Sequence, residues 1–133
     1  MRCAVWFSYY GLPNIQLDLP YDSQSPVLFE RVTYETKQDI LDEVYRILEQ
    51  SNSRGYNIGQ SLYYQLPFFC SPSFIISDWC WQMLGDYYIV KKFNVPAATD
   101  IDSADAFTLD CFNIIEEETN YITAHERTKS NGN

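Results

Sequence analysis

Glycine is scarce in this chain, five in 133 residues, and none of the five builds a phosphate-cradling loop, a nucleophile elbow or a dinucleotide fingerprint. Histidine occurs once, at His125, and the four cysteines, Cys3, Cys70, Cys80 and Cys111, never fall in a Cys-x-x-Cys pair. On one helix Cys111 and His125 would stand about 21 Å apart, too far for a nucleophilic pair, and zinc has no ligand set. Thiols scattered in apolar surroundings read as buried and reduced in a cytoplasmic protein; the even count leaves a secreted two-disulfide protein as the alternative. Long hydrophobic runs are missing too. No segment approaches the roughly 18 apolar residues of a membrane span, and the stretch from Met1 to Tyr10 lacks a small-residue cleavage site, so neither anchor nor signal peptide is expected.

The most informative absence is of positive charge. Between Thr99 and Glu126 there is no lysine or arginine, while Asp100, Asp102, Asp105, Asp110, Glu116, Glu117, Glu118 and Glu126 supply eight carboxylates, nearly the whole net charge of -9. Such a surface attracts cations and basic partners and repels nucleic acid and anionic membrane. Calcium is not the expected cation. Asp100-x-Asp102 opens like an EF-hand loop, but Ala104 takes the fifth position, Asp105 the sixth, where glycine makes the turn, and Cys111 the twelfth, where a bidentate Glu belongs. No metal or cofactor is expected.

What is present is material for a core: 46% hydrophobic and 17% aromatic residues in a length suited to one domain. The expected fold class is α+β, a single domain over residues 1–129 with a flexible tail at 130–133. A small antiparallel sheet from the N-terminal third is packed against three to four helices. Cys3 to Tyr10, dense in aromatic and β-branched residues, reads as a strand. Ile15 to Leu19, alternating strictly, reads as a second, and a third lies within Val27 to Tyr34, after the turn-rich Pro20 to Pro26.

From Thr36 the period becomes helical. Thr36 with Asp39 makes a capping box, and Ile40, Leu41, Val44, Ile47 and Leu48 gather on one arc, with Asp39, Asp42, Glu43, Arg46 and Glu49 on the far side. This helix ends between Ser51 and Gly55. A short one carrying Ile58, Leu62 and Leu66 stops near Pro67. Ser77 then caps a helix that is apolar nearly all round and belongs in the core or an interface. The last helix starts at Asp102 or Ser103, burying Ala104, Phe107, Cys111, Ile114, Ile115 and Ile122.

On that last helix Asp102, Asp105, Asp110, Glu116 and Glu117 project together, opposite the core arc, about one charge per 4–5 Å. The phosphates of one DNA strand repeat about every 3.4 Å along the axis, so this row is the candidate partner-binding site, for a basic protein surface that itself binds nucleic acid. Glu118 is the exception. It falls inside the apolar arc, where a carboxylate needs a partner from elsewhere or belongs to a functional site. Eleven tyrosines and three tryptophans exceed what this core can enclose. Tyr9, Tyr10, Tyr21, Tyr63, Tyr64, Phe68, Phe69, Trp81 and Tyr88 are candidate exposed anchors. The expected function is a non-enzymatic acidic protein-binding module, an inhibitor or nucleic-acid mimic that does not bind nucleic acid directly. The alternatives are an assembly subunit using aromatic interfaces and a small enzyme using carboxylates in a cleft.

Overall fold

The computed structural model describes residues 1–93 and 106–131. It is an α+β fold in which helix dominates: α1 (Arg2–Tyr10), β1 (Tyr21–Gln24), β2 (Arg31–Tyr34), α2 (Lys37–Arg54), α3 (Ile58–Gln65), a 3-10 turn at Leu66–Phe68, then α4 (Pro72–Ile75), α5 (Asp78–Phe93) and α6 (Ala106–Asn131). No helix among the described residues is long and apolar enough to cross a membrane.

The first element is a correction. Cys3 to Tyr10 is the central helix, not a strand, with Cys3, Ala4, Val5, Trp6 and Phe7 all buried in succession. Burial on every side is what a helix enclosed by other helices shows, and α1 lies against α3, α6 and α5. A short apolar run has the same composition in a buried strand and a buried helix, so β propensity was overridden by the helices that surround it. Ile15 to Leu19 is likewise no strand: it alternates, but it has no ladder partner and Leu17 is exposed.

The sheet is a single hairpin within the first third. β1 and β2 pair antiparallel with Tyr21 opposite Tyr34 and Gln24 opposite Arg31, so the stretch read as a turn supplies one strand and the end of the third expected strand supplies the other. Tyr34 is buried, its ring 5.7 Å from Phe69 and 5.5 Å from Tyr21. Tyr21 also donates its hydroxyl proton to the Phe69 carbonyl. These contacts fix the hairpin to the segment after α3.

α2 forms as the capping signal requires. The Thr36 side chain accepts from the Asp39 N–H, the Asp39 carboxylate accepts from the Thr36 N–H at 3.0 Å, and Gly55 closes the helix in the left-handed region at φ 69°. Ile40, Val44 and Ile47 point inward, and Glu43 goes with them, contrary to the expected far-side position. The buried Glu43 accepts from the Ser25 hydroxyl and pairs with Arg46, so its charge is answered inside the fold.

α3 is capped by Asn57, whose Oδ1 accepts from the Gln60 N–H at 2.7 Å, and it gives way to the 3-10 turn at Pro67. On α5, Cys80, Leu84 and Tyr87 are buried, while Trp79, Tyr88, Ile89 and Phe93 are exposed. α6 buries Cys111, Ile115, Glu118 and Ile122 at helical spacing; Phe107, expected inside, is exposed. The helix continues through Asn131, so two of the four residues assigned to a tail are helical. The expected start at Asp102 or Ser103, and Ala104, lie outside the described residues. All four cysteines are buried and outside any disulfide, and burial pushes the thiols of Cys3 and Cys70 up to about 11 and about 12, which makes them poor nucleophiles.

Candidate functional site

Of the expected row of carboxylates, Glu116 and Glu117 lean toward different helices. Asp102 and Asp105 lie outside the described residues, and Asp110 is exposed. Glu116 leans toward α5, where Tyr87 donates its hydroxyl proton to one carboxylate oxygen and Lys91 Nζ stands 3.3 Å from the other. The Tyr87 bond first, then Lys91, hold the Glu116 carboxyl below its ordinary range. Glu117 turns toward α1 and meets Arg2 at 3.1 Å. The two most C-terminal charges of the row therefore have cations folded over from other helices.

Glu118 is 2% exposed and points into the junction of α1, α3 and α6. One oxygen accepts from Arg2 Nη1 at 2.8 Å, the other from Trp6 Nε1 at 3.0 Å. Its position inside the apolar arc is thus explained by donors on α1, one charged and one neutral. Gly59 on α3 completes the arrangement. A Cβ there would stand 2.5 Å from Glu118 Oε1, 3.0 Å from Trp6 Nε1 and 3.1 Å from the Arg2 carbonyl oxygen. Only glycine lets α3 approach this closely.

The second feature of the surface is aromatic. Tyr10, Tyr56, Tyr64 and Tyr121 are exposed and line two adjoining grooves, with exposed Tyr9 packed edge-on against Tyr10 at 4.8 Å. One, of about 510 Å³, lies between the C-terminal ends of α1 and α3 and is walled by Tyr10, Tyr63, Tyr64 and two prolines, Pro13 and Pro67. Its neighbour, of about 350 Å³, shares Tyr64 and is bounded by Tyr56, Tyr121, Asn57, Gln60, Ser61 and Gln65, with no charged residue in its lining. The rings are braced: Tyr10 and Tyr63 centroids are 5.3 Å apart, as are Tyr63 and Tyr64, and Trp6 stacks beneath Tyr10 at 6.0 Å. Tyr10 also donates to Glu126 on α6, and that bond, with Lys129 nearby, keeps the Glu126 carboxyl below its usual value.

Of the aromatic residues singled out from sequence, Tyr9, Tyr10, Tyr64, Phe68 and Tyr88 are exposed, Tyr21, Tyr63 and Trp81 are half-buried, and Phe69 is core. Tyr56 and Tyr121 were missed. Tyr56 directly follows the helix-stopping Gly55, and Tyr121 lies off the buried arc of α6, so both had a weak signal. Among the described residues no group of three His, Cys, Asp or Glu side chains could hold a metal ion. Neither tyrosine groove is lined by a carboxylate. Comparison with protein-family models, curated proteins and solved structures returns no match for this chain.

Proposed function

We propose that this chain is a non-enzymatic protein-binding module that grips a basic partner surface with the tyrosine face of α1, α3 and α6. The observation that carries this reading is the set of four exposed tyrosines, Tyr10, Tyr56, Tyr64 and Tyr121, that line two grooves sharing Tyr64. Tyrosine is a rigid, amphipathic anchor, and with Ser, Gly, Asn and Gln around it the surface has the composition of a protein-contacting patch. Acid outnumbers base 18 to 9 over the chain, which steers a basic partner inward and keeps nucleic acid itself away. The carboxylates steer more than they anchor, because exposed pairs such as Glu117 with Arg2 contribute only about 0–1 kcal/mol and exchanging one cation for another gains little. A partner that uses its basic surface for nucleic acid would be blocked, which makes the module an inhibitor. Four buried thiols outside any disulfide suit the reducing cytoplasm.

The test is capture of partners on immobilised protein across a salt series. The Tyr64→Ser, Tyr121→Ser double variant should lose its partner at every salt concentration, whereas Glu116→Lys with Glu117→Lys should weaken capture mainly at low salt. Undiminished capture by the tyrosine variant would overturn the reading. A second reading, a subunit of a larger assembly, has its own observation in the exposed Tyr88, Ile89 and Phe93 of α5. Light scattering distinguishes it: a monomer at high concentration argues against assembly.

A further inference from the structure

We propose that the groove at the C-terminal ends of α1 and α3 receives the guanidinium group of an arginine carried by the partner; the inference rests on the tyrosine face being the contact surface. The two helices run side by side in the same direction. At one end a Cβ on Gly59 would stand 3.1 Å from the Arg2 carbonyl oxygen, and further along Tyr63 lies 5.0 Å from Phe7 and 5.3 Å from Tyr10, ring centre to ring centre. Their last turns therefore arrive together at the groove. The end of α1 carries roughly half a negative charge with no basic residue in its last turn to answer it, and α3, which runs on into the 3-10 turn at Leu66–Phe68, has no basic residue in its last turn either. The prolines in the groove sharpen this. In a continued helix, residues 13 and 67 would donate to the carbonyls of Tyr9 and Tyr63, and Pro13 and Pro67 have no N–H to give.

The side chains point to the same chemistry. Tyr10 commits its hydroxyl proton to Glu126, so its oxygen faces other groups as an acceptor, with a carboxylate immediately behind it. Tyr64 Oη accepts from Gln60 Nε2 at 3.4 Å. Aromatic faces, the Tyr10 oxygen and the negative end of α1 together favour a flat cation that can stack and donate several hydrogen bonds at once. Guanidinium has that form; an ammonium group is a compact, strongly hydrated point charge and would gain less from the ring faces. An anion is repelled, and a neutral apolar side chain leaves the acceptors without donors. The volume of about 510 Å³ takes an arginine side chain with part of its own backbone.

The probes are deca-arginine and deca-lysine peptides, equal in charge, titrated calorimetrically at about 150 mM salt, where long-range attraction is largely screened. Wild-type protein should bind deca-arginine about tenfold more tightly than deca-lysine. Tyr64→Ser should bring the two peptides close to parity, and Tyr64→Phe, which keeps the ring, should retain most of the preference. Tyr64 is 50% exposed, so both variants leave the core intact, and circular dichroism verifies it. Equal affinity of wild type for the two peptides, or an unchanged preference in Tyr64→Ser, overturns the inference. If the peptides show no preference while the tyrosine double variant still loses its natural partner, the guanidinium site falls and the binding-module reading stands.

Discussion

Removing the Glu118 carboxylate should expose how the junction of α1, α3 and α6 is held. Two donors depend on it: Trp6 Nε1, buried, and Arg2 Nη1, whose side chain is 38% exposed and has Glu117 as a second partner. In Glu118→Leu the indole N–H loses its acceptor in a dry site, which costs about 1–3 kcal/mol. Arg2 can turn to water and to Glu117, so the charged half of the loss is nearer the about 0–1 kcal/mol of an exposed pair than the 3–5 kcal/mol of a sealed one. The sum is about 1–4 kcal/mol. Glu118→Gln keeps an oxygen for Trp6 and gives up only the charge, for about 1 kcal/mol. Urea unfolding followed by tryptophan fluorescence reads the difference: with a slope of about 2 kcal/mol per molar, the leucine variant should unfold roughly 0.5–2 M earlier and the glutamine variant about 0.5 M earlier. Equal losses in the two variants would show that charge, not the indole bond, dominates. A leucine variant as stable as wild type would refute the account of the junction.

Three further outcomes follow from the packing of the fold. Gly59→Ala should destabilise by about 1–3 kcal/mol in thermal or urea unfolding, because its Cβ meets Glu118 and Trp6, whereas helix propensity alone predicts a gain of about 1 kcal/mol; the sign decides. Phe29 sits at φ 59° at the hairpin tip, 76% exposed, so Phe29→Gly should raise stability by up to about 1 kcal/mol by relieving the left-handed strain, and a loss in urea unfolding would show that the ring is held by contacts. Glu116 and Glu126 titrate below the ordinary 4.5 of a glutamate in the folded protein, so their contribution is present above that value and is lost as pH falls through their lower folded values. The stability difference between wild type and the Tyr10→Phe, Tyr87→Phe double variant should accordingly shrink below pH 4.5, and a difference that stays constant into acid would contradict the two hydroxyl–carboxylate bonds.

Where the chain carried a local signal, its sequence settled the structure alone. Thr36 with Asp39 starts α2 and Gly55 ends it, Pro67 halts α3, and Glu118 falls on the buried arc of α6, because capping, turn formation and helical phase act between residues a few positions apart. Glu43 was read on the far side of α2 but is buried beside Ile40, Val44 and Ile47, because the fold supplies Ser25 and Arg46 around it. Tertiary structure decided the rest. Cys3 to Tyr10 became a helix because other helices close around it, a condition no window of eight residues contains. The stretch without a lysine or arginine acquired cations by folding, Arg2 from 115 positions away for Glu117 and Lys91 from 25 for Glu116, and the converging ends of α1 and α3 made a groove from tyrosines that are far apart along the chain. Charge pattern is a property of the sequence, but which charges remain unanswered is set by long-range packing.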